Sequence, residues 1–154
     1  AEAGNEVISS IYNQCLNFEE SKIYPGIPEY INNRGRGLYH YLTGSASWLL
    51  LTMVTQVYGV RGKLGDLVLD PKLMPEQFDE KGRASISTIF ADQELKITFS
   101  NSKKLNYQDY SINSVLLNSE EIDFESSEQG AVIDRKLIKS LSESETIEIE
   151  IELS

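Results

Sequence analysis

One short stretch of the sequence places a glycine between two hydroxyl residues, directly before a long uncharged run. Thr43, Gly44 and Ser45 precede residues that continue to Tyr58 without a charged side chain. If a helix begins here, its first backbone N–H groups have no acceptor within the helix, and the helix dipole adds partial positive charge. Because Gly44 has no side chain, an anion could approach these groups closely. The stretch therefore predicts an anion site, although a plain N-cap by Thr43 or Ser45 would leave the same pattern.

The other reactive side chains are few and scattered. One histidine, His40, and one cysteine, Cys15, cannot form a metal-ligand cluster, so we expect neither a metal nor another cofactor. Arg34 and Arg36 could bind an anion, but on a glycine-rich loop they fit solvated surface charges equally well. The glycines are not followed by the lysine of a nucleotide-binding loop, and no nucleophile elbow occurs.

The N-terminal part of the chain is predicted to form two helices separated by a loop. Apolar residues at helical spacing predict an amphipathic helix over residues 7–16, and prolines and glycines predict a loop over 17–37. A second helix is expected over 45–58, ended by Gly59. It is apolar on nearly every side, which is typical of a helix inside a larger helical assembly. Since the chain begins without Met and inside a helical pattern, we expect a piece of a longer protein.

The C-terminal part changes to a period of two, which is typical of β-strands. Isoleucine and glutamate alternate from Ile147 to Glu152, so that strand should have one buried and one wet face. Several such runs at short spacing predict an antiparallel sandwich. The runs are ASISTIFA, LKITFSN, YSINSVLLN, GAVIDRKLI and TIEIEIEL.

Composition excludes some classes of partner. The formal net charge is -10 over 154 residues. Most of this charge lies in the C-terminal half, which argues against nucleic acid because phosphate contacts need a basic surface. No stretch is a confident membrane span and no signal peptide occurs, so we expect no membrane association. A single cysteine fits a reducing compartment, and a cytoplasmic location is expected.

The residues around the Thr-Gly-Ser step also carry a resemblance to a known family. The stretch YPGIPEYINNRGRGLYHYLTGSASWLLLTMVTQVYGVRGKLGDLVLDPKL resembles the C-terminal part of the inverting disaccharide and oligosaccharide phosphorylases, glycoside hydrolase family 94. This family includes cellobiose, cellodextrin, chitobiose and 1,2-β-oligoglucan phosphorylases, and the phosphorylase-like end of cyclic β-1,2-glucan synthases. The dense similarity covers about residues 24–78, and the following strands fit the family's closing β-domain more loosely.

The resemblance implies an α+β architecture. Residues 1–59 would be the last helices of an (α/α)6 barrel, and residues 60–154 would be a jelly-roll-like antiparallel β-sandwich. It also implies a transferase reaction in which inorganic phosphate attacks the anomeric carbon of a β-linked sugar and gives an α-sugar 1-phosphate with inversion. Phosphate takes the place of the activated water of an inverting glycosidase. The implied partners are a β-linked di- or oligosaccharide, inorganic phosphate and the rest of the parent polypeptide.

The resemblance assigns roles to three residues. Thr43 and Gly44 match the pair that binds phosphate in the family, and Glu29 of the IPEY segment stands where the family places a polar residue towards the sugar. The family's general acid is an aspartate on an earlier barrel loop outside this chain. Neither Asp66 nor Asp70 corresponds to it. We therefore assign no catalytic residue here and expect this polypeptide alone to be inactive.

Three alternatives remain open. The parent could be a simple phosphorylase or a cyclic glucan synthase. The β-domain could instead be a carbohydrate-binding domain, with Tyr107 and Tyr110 as candidate stacking residues. The segment could also be a structural domain that mediates contacts in a homodimer, through the exposed apolar faces of its helices.

Overall fold

The computed structural model describes residues 2–23, 26–39, 44–127, 130–141 and 146–154. The chain divides into two compact units, Ala1–Met53 and Val54–Ser154. The described residues form a mixed α+β structure that is mostly β-sheet and is compatible with a β-sandwich.

The described residues of the first unit form two longer helices, one short helix and a small hairpin. The elements are α1 (Glu2–Leu16), α2 (Phe18–Ser21), β1 (Tyr30–Ile31), β2 (Gly37–Leu38) and α3 (Gly44–Thr52). The loop predicted over residues 17–37 therefore contains one helical turn and most of a small antiparallel hairpin. Asn32 organises the hairpin turn, because its side-chain oxygen accepts from the backbone N–H groups of Arg34 and Arg36 at 2.9 and 3.1 Å.

Helices α1 and α3 both carry large apolar side chains that are exposed among the described residues. In α1, the exposed fractions of Val7 and Tyr12 are 56% and 58%. In α3, every one of the nine residues, all of them described, is at least partly exposed, and Trp48 and Leu50 are 69% and 67% exposed. The helix that the sequence marks as an interior helix is thus amply accessible to solvent in this chain.

The second predicted helix is correct in place but not regular throughout. The α-helical part ends at Thr52, and Met53–Val57 continues as one π-helical turn. The expected stop at Gly59 is confirmed, since Gly59 has a φ of +69°. A β-carbon there would collide with the Asp70 carbonyl group, so only glycine fits this approach.

The second unit contains two sheets. The four-stranded sheet has the order β3-β4-β10-β9, and all of its pairs are antiparallel. Its strands are β3 (Val60–Lys63), β4 (Asp66–Leu69), β9 (Glu125–Ser127) and β10 (Gly130–Ile133). The five-stranded sheet has the order β5-β6-β11-β7-β8. Its strands are β5 (Arg83–Phe90), β6 (Gln93–Ser100), β7 (Ile112–Leu117), β8 (Glu120–Ile122) and β11 (Thr146–Leu153).

The prediction of purely antiparallel sheets is wrong for one pair. Strand β11 lies between β6 and β7, and it runs parallel to β6 with Ile149 opposite Ile97. An alternating pattern specifies which face of a strand is buried, but it is the same whichever way the neighbouring strand runs. The sequence pattern therefore could not reveal this pairing.

The core of the second unit follows the alternation seen in the sequence. Ile147, Ile149 and Ile151 are at most 1% exposed, whereas Glu148 and Glu150 between them are exposed. Each fully buried isoleucine stabilises the fold by roughly 1.5–3 kcal/mol through removal of apolar surface from water. The predicted split of β11 into a buried and a wet face is confirmed.

One predicted strand is wrong in its second half. The run GAVIDRKLI forms strand β10 only as far as Ile133, and helix α4 (Arg135–Ser140) follows it. Asp134 ends the strand and caps the helix, since its carboxylate accepts from the Lys136 N–H at 2.7 Å. An aspartate before a basic, apolar turn is an N-cap signal that outweighs the alternation.

Candidate functional site

The start of helix α3 is bound by a carboxylate from the preceding loop. The N–H of Ser45 donates to Oε1 of Glu29 at 3.0 Å. A β-carbon added to Gly44 would lie 3.2 Å from the same oxygen, so this glycine is in close apposition to the carboxylate. Two of the three predicted site residues, Gly44 and Glu29, are therefore brought together although fifteen positions separate them. The third, Thr43, lies outside the described residues, as does His40.

Ser45 also holds the loop through its side chain. Its hydroxyl donates to the carbonyl oxygen of Ile27 at 3.3 Å. Ser45 lies inside α3 rather than at its cap, so the alternative in which Ser45 is the N-cap is wrong. Two hydrogen bonds from one serine thus attach the loop around Glu29 to the first turn of the helix.

The chemistry of this helix terminus is that of an oxyanion site. Backbone N–H groups of a first turn have no acceptor within the helix, and the helix dipole favours negative charge beside them. In this structure the oxyanion is the half-buried carboxylate of Glu29. The sequence did not predict this contact, because a carboxylate sixteen residues before Ser45 leaves no local capping pattern. The same sequence pattern is compatible with amides that are free to bind phosphate and with amides that bind the Glu29 carboxylate.

The other candidates of the first unit lie on its surface. Arg34 and Arg36 are exposed and belong to the hairpin turn organised by Asn32. Gln14 attaches this turn to helix α1, since its side-chain amide donates to the carbonyl of Gly35 at 3.1 Å. Cys15, also on α1, is partly buried, and this burial raises the pKa of its thiol.

A cavity of about 240 Å³ lies in the second unit and includes both tyrosines that the sequence singled out. Tyr107 and Tyr110 line it together with Phe124, Asp70 and Ser126. Asp70 directly follows β4, and the two tyrosines lie in the segment before β7. Phe124 directly precedes β9, and Ser126 lies within it. The two candidate stacking residues, Tyr107 and Tyr110, thus lie around one concavity.

The hydroxyl of Tyr110 is bonded to the backbone behind the cavity. It accepts from the N–H of Leu73 at 2.8 Å, and it lies 3.3 and 3.2 Å from the carbonyl oxygens of Pro71 and Leu73, to either of which it can donate. Burial is the main cause that raises the pKa of this phenol, and the nearby charge of Asp70 acts in the same direction.

The two aspartates at the ends of strand β4, Asp66 at its start and Asp70 directly after it, have structural partners. Asp70 contacts two cations through one oxygen, with Arg61 at 2.6 Å and Lys72 at 3.1 Å. Asp66 accepts from the backbone N–H of Arg135 at 3.0 Å, which fixes the start of α4 against strand β4.

Among the described residues, no group of three or more His, Cys, Asp and Glu side chains is placed to hold a metal ion. Nor does any helix in the described ranges have the length and apolar character needed to cross a bilayer.

Comparison with known proteins does not identify a family. No protein-family model matches the chain, and no curated protein is significantly similar to it. The resemblance to the phosphorylases therefore stays a prediction that depends on the quoted motif.

Proposed function

We propose that this chain is the C-terminal part of an inverting glycoside phosphorylase, either a simple phosphorylase or the phosphorylase-like end of a cyclic β-1,2-glucan synthase. The parent protein would cleave a β-glycosidic bond with inorganic phosphate and release an α-sugar 1-phosphate. The first unit would supply part of the phosphate site, while an aspartate outside this chain would protonate the departing oxygen.

The observation that carries the proposal is the oxyanion contact at the start of α3. The N–H of Ser45 already binds a carboxylate oxygen, that of Glu29, at 3.0 Å. This contact supports the view that the first turn, next to Gly44, is suited to oxyanions. The sequence motif supplies the second support, because it places Thr43 and Gly44 where the resembling family binds phosphate.

Glu29 has to change partner for phosphate to bind at this amide. Two like charges about 4 Å apart repel by roughly 4 kcal/mol at the effective dielectric of a protein surface. Phosphate would therefore displace the carboxylate from the Ser45 N–H, and Glu29 would then accept a hydrogen bond from a sugar hydroxyl. The exchange would link phosphate binding at the helix start to sugar binding by Glu29, because bound phosphate releases the Glu29 carboxylate for the sugar.

The exposed helices support a larger helical assembly around the first unit. Trp48 and Leu50 of α3 and Val7 of α1 expose much of their apolar surface. Burial of such surface stabilises a protein by about 25 cal/mol per Å². We propose that the preceding helices of an (α/α)6 barrel in the parent polypeptide cover these side chains.

The experiment that tests this function compares two proteins, the 154-residue chain and a longer parent polypeptide that carries it. Each is incubated with inorganic phosphate and cellobiose, laminaribiose or sophorose, and sugar 1-phosphate is followed by phosphorus NMR. The parent should form the α-anomer, and the chain alone should form none. Hydrolysis by the parent without any need for phosphate, or turnover by the chain alone, would contradict the proposal.

Two variants of the parent separate the roles at the helix start. Gly44→Ala places a methyl group 3.2 Å from the Glu29 oxygen and crowds the amides. Loss of one charge-assisted hydrogen bond should then raise KM for phosphate by roughly tenfold or more. Glu29→Gln should lower KM for phosphate, because the competing charge is gone, and raise KM for the sugar. Gly62→Ala in β3 is the matched control, since its added carbon makes only an ordinary contact, 3.6 Å from the ring of Phe90.

A further inference from the structure

The cavity of the second unit combines apolar and polar walls in a way that suits one chemical class of ligand. Tyr107, Tyr110 and Phe124 supply aromatic surface, and Asp70 and Ser126 supply hydrogen-bonding groups. Aromatic faces carry negative partial charge, so they attract C–H groups that carry positive partial charge. A pyranose ring presents such C–H groups on its faces and hydroxyl groups around its edge.

Tyr110 is a rigid part of this cavity. Its hydroxyl accepts a hydrogen bond from the backbone N–H of Leu73 at 2.8 Å, which holds the ring in place. A ring held in this way loses little conformational freedom when a ligand packs on it, which favours binding. Tyr107 and Phe124 are half-buried, so each presents part of its ring to solvent at the cavity.

The two charged residues that line the cavity, Asp70 and Lys72, have opposite charges and contact each other, so the lining as a whole favours a neutral ligand. The Asp70 carboxylate contacts Arg61 at 2.6 Å and Lys72 at 3.1 Å, so the acid is largely neutralised within the protein. The two cations are in turn engaged by the carboxylate, which reduces their attraction for a free anion. The carboxylate remains a hydrogen-bond acceptor of the kind that sugar hydroxyls need when they leave water.

We propose that this cavity is a binding site for one neutral pyranose unit of a saccharide, separate from the phosphate site at helix α3. The volume of about 240 Å³ lies below the roughly 300–1,000 Å³ of sites for drug-sized ligands, which fits a single ring. The site does no chemistry. It holds a saccharide on the second unit. This proposal does not depend on the proposed phosphorylase function.

The test is a titration of the 154-residue chain with glucose, cellobiose and sophorose in the absence of phosphate. Saturation-transfer NMR detects the sugar, and chemical shifts of the backbone amides locate it. We expect a dissociation constant on the order of millimolar. The amides of the cavity residues, such as Ser126 and Tyr107, should shift, and the amide of Gly44 should not.

Variants then test the aromatic walls. Tyr107→Ala and Phe124→Ala should each weaken binding by roughly three- to tenfold, as expected for loss of one aromatic packing interaction. Phe90→Ala is the matched control, because Phe90 is a half-buried ring at the end of β5 that does not line the cavity. Circular dichroism verifies that each variant is folded.

Three results would overturn the proposal. The first is no binding of any of the three sugars at 50-fold the expected dissociation constant, on the order of 50 mM. The second is unchanged affinity in both folded cavity variants. The third is binding of inorganic phosphate at the cavity amides with no response to neutral sugars. None of these results tests phosphorolysis by the parent protein. That reaction is measured as formation of sugar 1-phosphate, and it depends on the proposed phosphate site at α3.

Discussion

Replacement of Tyr110 by phenylalanine tests the hydrogen bond that holds the wall of the cavity. The substitution keeps the ring and removes only the hydroxyl, which accepts from the Leu73 N–H at 2.8 Å. Leu73 is fully buried, so its N–H would be left without an acceptor and without water. A buried donor that loses its partner destabilises a protein by about 1–3 kcal/mol. We expect Tyr110→Phe to lower the free energy of unfolding by that amount.

The expected change is large enough to measure in two ways. Urea titration followed by circular dichroism should show a lower midpoint with an unchanged slope. For a chain of about this size, each kcal/mol lowers Tm by roughly 2–4 °C, so the variant should melt about 2–12 °C earlier. Tyr58→Phe is a suitable control, since Tyr58 is half-buried and its ring packs beside Phe99 with the centroids 6.2 Å apart. A loss below about 0.5 kcal/mol in Tyr110→Phe would refute the reasoning.

The pH dependence supplies an independent check on Tyr110. Its pKa in the folded state is raised above the ordinary value of 10.0. Above about pH 10 the unfolded chain therefore loses this proton while the folded chain keeps it, and the free energy of unfolding falls as pH rises. Below pH 10 the contribution is fully present. The stability difference between the native protein and Tyr110→Phe should thus shrink above pH 10, and a difference that stays constant there would contradict the raised pKa.

Three further predictions address other parts of the structure. Gly130→Ala should lower the free energy of unfolding in urea by roughly 1–3 kcal/mol or more, because Gly130 has a φ of +103° and an added carbon would collide with the Leu69 carbonyl oxygen; an unchanged midpoint would refute this. Asp134→Ala should lower it by about 1 kcal/mol through loss of the α4 cap, whereas Asp134→Asn should retain most of the stability. Cys15 should react with a disulfide reagent at pH 8 more slowly than free cysteine, because burial raises its pKa, and an equal rate would count against that burial.

The strands show what could be predicted from alternation alone. Strand β11 was expected from its alternating isoleucine and glutamate, and the structure has it over Thr146–Leu153 with the isoleucines buried. Strands β5 and β6 were expected to within two residues at each end. A period of two is a local property of the strand that survives any arrangement of its neighbours. The short strands β8 and β9 were missed because three residues are too few to show a period.

The candidate site was predictable only in part. The sequence predicts a helix from residue 45 with unpaired amides in its first turn, and α3 begins one residue earlier, at Gly44. It did not indicate that the carboxylate of Glu29 binds the Ser45 N–H. The sugar-facing role of Glu29 is implied only by the family resemblance, and that resemblance does not predict this hydrogen bond. The aromatic pair of the second unit was noticed, but the cavity that it lines with Asp70 was not, because separate segments of the chain form that cavity.

The sequence by itself determined the properties that depend on neighbours along the chain: the two longer helices ahead of the long strands, the buried face of β11, the start of α3 to within one residue and the stop at Gly59. Only the tertiary structure decided the parallel pairing of β11 with β6, the carboxylate at the start of α3 and the rings around the cavity. The physical reason is the distance along the chain over which each effect acts. Periodicity and capping act over a few residues, whereas strand partners, a distant cap and a cavity arise when the fold brings together segments that the chain keeps far apart.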